Sequence, residues 1–247
     1  MLFVLSPLCL YAEWKTVDRQ NLSVPGGKLR ASELRMTEGN KEAKVSFVYF
    51  AAGDVALESV PNLDGQNGDL RNIVEAKGAI AGINGGYFDE GLAPIGLLIS
   101  NGRLVHGLQN AKILSGIFYV KGGRPSLSRT REFPGLKGVR QAIQCGPFLV
   151  DGERVVPGLD NRRVAARTFV FSCNASVWGF GICRSVTLQE MGRILSEASL
   201  VPDHQIIRAL NFDGGSSTTF YVKTESGTIF SEGRQIVSDY LIAKPNH

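Results

Sequence analysis

The stretch Ile206-Ile207-Arg208-Ala209-Leu210-Asn211-Phe212-Asp213-Gly214-Gly215-Ser216-Ser217-Thr218-Thr219 decides how this chain is read. Apolar side chains occupy both alternating sets of positions up to Phe212, which describes a strand covered on both faces. Asp213 therefore emerges where the strand leaves the core, a common place for chemistry in sheet proteins. Gly214 and Gly215 then remove side chains where the backbone turns or a ligand approaches closely, and four hydroxyl residues follow. A similar construction occurs earlier, in Ala79-Ile80-Ala81-Gly82-Ile83-Asn84-Gly85-Gly86-Tyr87-Phe88-Asp89, with Asn84 in place of the aspartate. Two such strand ends suggest two walls of one polar cleft. The competing reading is two tight turns, because Asn-Gly and Asp-Gly are strong hairpin signals.

Outward from these two stretches, strand-like runs rich in Val, Ile, Phe and Tyr lie at 45–51, 79–84, 113–120, 139–144, 147–150, 165–173, 177–183, 206–212 and 218–223. Two helices stand out. Thr187-Leu188-Gln189-Glu190 is a capping box ahead of an apolar stripe of Leu188, Met191, Leu195 and Ala198. A weaker helix begins near Asp69, with Leu70, Ile73, Val74 and Lys77 at helical spacing. Many strands with few helices point to an α+β fold: one domain with a mixed, largely antiparallel sheet and a few flanking helices.

A chain of 247 residues with 43% apolar content can bury a large core, and no linker, charge block or fixed-period repeat divides it. The apolar run at residues 2–12 is too short to span a bilayer and resembles the later part of a secretion signal cleaved near Ala12, although no Lys or Arg precedes it. The organisation expected is a signal-like segment at 1–12, an N-terminal lead-in at 13–40 and a domain at 41–247, without a transmembrane anchor, in a protein exported to the periplasm or outside the cell. Cys9 would leave with the signal, and Cys145, Cys173 and Cys183 read as buried free thiols. The formal charge is only +4, yet residues 124–167 hold nine basic side chains against four acidic ones. That bias favours an anionic partner such as phosphate or a polyanionic glycan. Nucleic-acid binding is not expected, since the arginines lack the interleaved aromatic residues that stack bases.

The segments INGGYFD, CGPFLVDG, ARTFV and ALNFDGGSSTTFYV, in that order, resemble the phosphodiester glycosidase family. These enzymes uncover mannose 6-phosphate by removing N-acetylglucosamine from a phosphodiester. The resemblance covers about residues 40–245, and the last segment is its most specific part. It implies a hydrolase that cleaves a sugar-1-phosphodiester to a free sugar and a phosphomonoester, acting on an envelope or extracellular glycan. The alternative is a non-catalytic glycan- or phosphate-binding domain on the same fold. Three positions depart from the family pattern: Ala166 where proline is frequent, Cys145 where a small residue without a thiol is frequent, and Ser216 where a third glycine is frequent.

Asp213 is the expected catalytic carboxylate, since glycosidic cleavage needs an acid, base or nucleophile beside the sugar. Asp89 is the candidate second carboxylate, with a turn aspartate as the competing reading. Arg167, in the Arg-Thr pair that the resemblance places at the start of a central strand, can clamp two phosphate oxygens with its planar guanidinium. Asn84 is expected to orient a sugar hydroxyl or phosphate oxygen, and Gly85 and Gly86 to aim backbone N–H groups at an anion. Thr168, Gly214, Gly215, Ser216 and Ser217 complete the expected binding set. Cys145 is read as a buried thiol rather than a nucleophile, and His106 and His204 as surface or packing residues. No Walker loop, G-x-S-x-G elbow or zincin helix is present and no cofactor is identified, while the sequence leaves open whether a divalent metal assists.

Overall fold

A computed structural model describes residues 13–174 and 176–246; the signal-like segment at 1–12, with Cys9 and the expected cleavage position, and His247 lie outside the described residues. The largest sheet has eight strands. They are β1 (Lys15–Leu22), β2 (Leu29–Glu38), β3 (Lys41–Ala51), β14 (Val177–Val186), β13 (Ala165–Ser172), β15 (Arg208–Asn211), β11 (Phe148–Asp151) and β12 (Arg154–Val155), in that spatial order. A second sheet of five follows the order β7 (Arg103–His106), β6 (Leu98–Ser100), β10 (Val139–Cys145), β8 (Gly116–Lys121), β9 (Arg124–Arg129). A third runs β17 (Gly227–Ser231), β16 (Phe220–Thr224), β5 (Ala81–Asn84), β18 (Asp239–Pro245), β4 (Val55–Pro61).

The expected α+β class holds. Its antiparallel character is complete among these strands, because every pairing is antiparallel and no βαβ crossover supplies a parallel neighbour. The stretch 13–40 contributes β1 and β2 to the large sheet. β1 sits at its edge with mostly exposed residues, which is why no apolar pattern marks it in the sequence.

The main core fills the space between the sheets. Val48, Phe50, Phe148, Val170, Phe180 and Leu210 of the large sheet meet Ile83, Phe220 and Leu241 of the third and Phe118 and Ile143 of the second. Helix α2 (Leu188–Glu197) begins with the expected capping box, Thr187 Oγ1 accepting from Glu190 N at 3.1 Å and Glu190 Oε2 from Thr187 N at 2.8 Å. It lays Met191, Ile194 and Leu195 on Phe169 and Phe171, on the outer face of the large sheet. Helix α1 (Leu70–Ala76), capped by Asp69, packs Leu70, Ile73 and Val74 against Tyr221, Tyr240 and Ile242. Together these layers bring five strand ends to one place: the ends of β5, β10 and β15 and the starts of β13 and β18.

Candidate functional site

The two glycine-pair stretches do meet. Asp213 N donates to Gly85 O at 3.1 Å, and Asn84 Nδ2 donates to Asp213 O at 2.8 Å. Asn84 Oδ1 accepts from Thr168 Oγ1 at 2.8 Å and from Thr219 N at 3.1 Å. Asn84 is completely buried and its carboxamide is taken up by the chain itself. Asn84 and Thr168 form a knot that fixes the backbone of Asp213. The physical reason is burial, since a carboxamide shut away from water must be satisfied by its neighbours.

Gly85 and Gly86 differ from expectation. Gly85 N donates to Asp239 O at 2.8 Å, and Gly86 N to Asp239 Oδ1 at 3.2 Å. The Gly86 amide is thus spent on the chain's own carboxylate and the Gly85 amide on the backbone carbonyl of the same residue. A Cβ on Gly85 would lie 1.7 Å from Asp239 Oδ1, so the glycine is required by the carboxylate packed upon it. Asp239 is 2% exposed, and Ser238 Oγ donates to its Oδ2 at 2.7 Å. Burial, reinforced by the nearby charge of Asp213, pushes its pKa up to about 6, against the opposing hydrogen bonds from Ser238 and Gly86.

Asp213 itself is half-buried. Its Oδ1 accepts from Gly214 N at 2.9 Å, and Ser217 hydrogen-bonds its side chain. Burial raises its pKa above the ordinary aspartate value, while Ser217, Gly214 and the charge of Arg163 pull it back. Gly214 packs closely, because a Cβ there would stand 2.8 Å from Ala166 O. Gly215 adopts φ +65° at the start of the 3-10 turn Gly215–Ser217, a conformation that favours glycine. Ser217 is buried and accepts from Gln235 Nε2 at 2.7 Å, whereas Ser216 is exposed.

Arg167 lies on the same side as Asp213, its Cδ 3.8 Å from where a Cβ on Gly214 would stand. Its Nε donates to Val186 O at 3.3 Å and its Nη2 to Arg163 O at 2.5 Å. Buried, with one bond from Nε and one from Nη2 to backbone carbonyls, Arg167 braces the segment that carries Arg163. Asp160 holds the other end of that segment, accepting from Arg162 N at 3.2 Å and Arg163 N at 3.1 Å. Arg163 is exposed, and its charge acts on both Asp213 and Arg167. Asp89 takes its turn role: exposed, with Oδ1 accepting from Gly91 N and Ala93 N, each at 2.9 Å.

Tyr87 joins these groups. Its hydroxyl donates to Gly146 O at 2.6 Å and accepts from Asn211 Nδ2 at 3.3 Å. Burial above all, then the neighbouring Cys145 and Asp213, raises its pKa and keeps the phenol protonated, against Asn211 and Arg167. Asn211 also donates to Gly146 O at 2.9 Å, and its buried Oδ1 has no hydrogen-bond partner among the described residues. Cys145 is fully buried, and burial raises its pKa well above the free-thiol value, so it stays a thiol without nucleophilic character. Cys173 and Cys183 are likewise free and buried. Among the described residues no group of three or more His, Cys, Asp or Glu is placed to hold a metal ion.

Tyr87, Arg163, Asn211 and Asp239 were not singled out by the sequence. Arg163 lay within the basic segment, and Tyr87 directly follows the first glycine pair. Asp239 stands before the apolar run Tyr240–Ala243, the mirror image of Asp213 after its own run. Recognising that run as a strand would have drawn attention to the carboxylate at its start.

Comparison with known proteins places this arrangement. Residues 77–243 match the family described as Phosphodiester glycosidase. The catalytic domain of zebrafish N-acetylglucosamine-1-phosphodiester alpha-N-acetylglucosaminidase, auto-inhibited by its pro-peptide, is similar in fold, with a TM-score of 0.64 at 16% identity over 94% of this chain and 89% of that one. A Synechocystis protein aligns with a TM-score of 0.60 at 13% identity, over 87% of this chain and 62% of that one. The uncharacterized protein YigE of Escherichia coli (strain K12) is 37% identical over 82 residues, which are 30% of this chain and 32% of YigE. The match therefore spans about a third of that relative's length.

Proposed function

From the premise that this chain belongs to the phosphodiester glycosidase family, we propose that it hydrolyses a sugar-1-phosphodiester to a free sugar and a phosphomonoester. One observation carries this reading: a half-buried carboxylate, Asp213, is locked at a strand end, with a buried second carboxylate behind it and an exposed arginine beside it. In the reaction the bond between the sugar's anomeric carbon and the phosphate oxygen breaks, and its electron pair leaves on the phosphate. The oxygen of water ends on the anomeric carbon. Asp213 either takes the proton from that water or attacks the carbon first, and burial, which raises its pKa above the ordinary aspartate value, strengthens it as a proton acceptor. The phosphate departs as a stable anion, so neutralising charge takes the place of a strong acid on the leaving group. Arg163 supplies that charge, and Arg167 with Asp160 holds Arg163 in place. Asp239 supports the backbone of the first glycine pair and disfavours a second negative charge beside Asp213.

The substrate belongs to the envelope or extracellular glycans, a placement that rests on the signal-like run at 2–12. Among the described residues no helix is long and apolar enough to cross a membrane. The test is sugar release from a panel of sugar-1-phosphodiesters, N-acetylglucosamine among them. Asp213→Asn should lower turnover by about 10²-fold or more while leaving thermal unfolding nearly unchanged. Unaltered turnover in Asp213→Asn would remove this residue from the mechanism. Binding of the panel without turnover, in wild type and variant alike, would make the domain a glycan-binding module.

A further inference from the structure

The 3-10 turn Gly215–Ser217, which follows Asp213, is held by the segment 232–238 that links β17 to β18. Arg234 N donates to Ser216 O at 2.7 Å. Gly233 lies against the same turn, where a Cβ would stand 3.1 Å from Ser216 O and 3.2 Å from Ser217 O. Both ends of the segment are tied down. Thr219 Oγ1 donates to Ser231 O at 3.0 Å, while the fully buried Asn62 donates through Nδ2 to Val237 O at 3.0 Å and through N to Ser238 O at 2.6 Å. None of these contacts uses the side chain of Gln235.

Gln235 lies at the surface, yet its Nε2 donates to Ser217 Oγ at 2.7 Å, and Ser217 is buried. A hydroxyl has one proton and a carboxamide N–H can only donate, so this bond occupies a lone pair of Ser217 and leaves its proton for another acceptor. That acceptor is Asp213, whose side chain Ser217 hydrogen-bonds. Gly214 N supplies a further donor to the same carboxylate, at 2.9 Å from Oδ1. Carboxamide, hydroxyl and carboxylate therefore form a chain of hydrogen bonds with a single direction.

We propose that Gln235 is a positioning residue for Asp213, which it serves through Ser217 by aiming the hydroxyl proton at the carboxylate. The geometry carries the direction of the chain, and only its consequence for turnover rests on the hydrolysis proposed above. Without the Gln235 donor the hydroxyl is free to turn away, and a carboxylate that loses a donor binds its proton more tightly. The charged and titratable groups whose fields couple to Asp213 are Arg163, Tyr87, Cys145 and Asp239, and Glu232 and Arg234 flank Gln235 on the exposed segment. Gln235→Leu changes the charge of none of them.

Carbon-13 NMR of the full chain with labelled aspartate carboxyls follows Asp213 without any substrate, its resonance assigned by its loss in Asp213→Asn. In Gln235→Leu, Asp213 should titrate at higher pH than in the wild type, while the melting temperature stays within about 2 °C because the backbone contacts of the segment remain. In a Ser217→Ala background, which has no hydroxyl to aim, the same substitution should leave the Asp213 titration where Ser217→Ala alone puts it. An Asp213 titration unmoved by Gln235→Leu, or moved equally with and without the Ser217 hydroxyl, would overturn the proposal. In kinetics on a sugar-1-phosphodiester, Gln235→Leu should move the acid limb of the kcat profile to higher pH and lower kcat on that limb about threefold, with KM nearly unchanged. A raised KM with an unmoved limb would make Gln235 a substrate contact and overturn its positioning role. If the wild type cleaves no diester at all, the hydrolase reading falls, and the NMR titrations still decide the role of Gln235.

Discussion

Two turns of nearly the same sequence, Asn84-Gly85-Gly86 and Asp213-Gly214-Gly215, do opposite work. The first is closed: Asn84 is fully buried, its carboxamide satisfied by Asp213, Thr168 and Thr219, and both glycine amides are spent on Asp239. The second is half-open, with a carboxylate that feels the charge of Arg163, a side chain itself exposed to solvent. A glycine pair at a strand end thus marks close approach, and what approaches decides the role. In the first turn it is the protein's own carboxylate, and in the second it is the backbone of Ala166, packed against Gly214.

The contrast breaks most visibly at Gly85. A Cβ there collides with Asp239 Oδ1 at 1.7 Å, so Gly85→Ala must displace a buried carboxylate and strip its hydrogen bonds. The expected loss is about 4 kcal/mol of stability, measured by urea unfolding. A loss within about 1 kcal/mol would show that the closed turn has slack that this account denies it.

Asp239 sharpens the comparison through pH. Its folded pKa is raised from 3.8 to about 6 by burial, so the folded chain keeps a proton that the unfolded chain has released. This contribution to stability is fully present below the unfolded value and is lost as pH rises through about 6, to a total on the order of 3 kcal/mol. Denaturant midpoints between pH 4 and 7 should fall accordingly in the wild type, and Asp239→Asn should flatten the slope and be the more stable protein at pH 7. An unchanged slope in Asp239→Asn would assign the titration elsewhere.

Smaller effects are expected on the open side. Arg163→Gln should raise KM for a sugar phosphodiester roughly tenfold with little change in kcat or in melting temperature, since an exposed guanidinium contributes charge and no packing. Arg167→Lys should instead lower the melting temperature and alter KM and kcat together, because an ammonium cannot brace two carbonyls as the guanidinium does. The reverse pattern would return the clamp role to Arg167. Least of all, Gly215→Ala should cost about 1 kcal/mol, the strain of a left-handed alanine, because a Cβ at Gly215 meets nothing within 4 Å.

The strands that bury apolar residues on both faces, such as Phe169–Phe171 in β13 and Ile182 in β14, were legible from composition alone, as was the capping box of α2. Harder to see were the exposed edge strand β1 and the short β6, β7 and β12, where too few residues carry a pattern. β18 was missed despite its apolar run, and Asp239 was missed with it.

By itself, the sequence determined that this is a strand-rich α+β chain with a carboxylate placed at the end of a buried strand beside a glycine pair, because burial on two faces and freedom from a side chain are written in residue type. Only the tertiary structure decided which polar groups the protein satisfies internally. Asn84 is bonded by partners 84 to 135 positions away, and Arg167 reaches the carbonyls of Arg163 and Val186. Hydrogen-bond satisfaction in a buried site is a property of neighbours brought together by the fold, and no local pattern contains it.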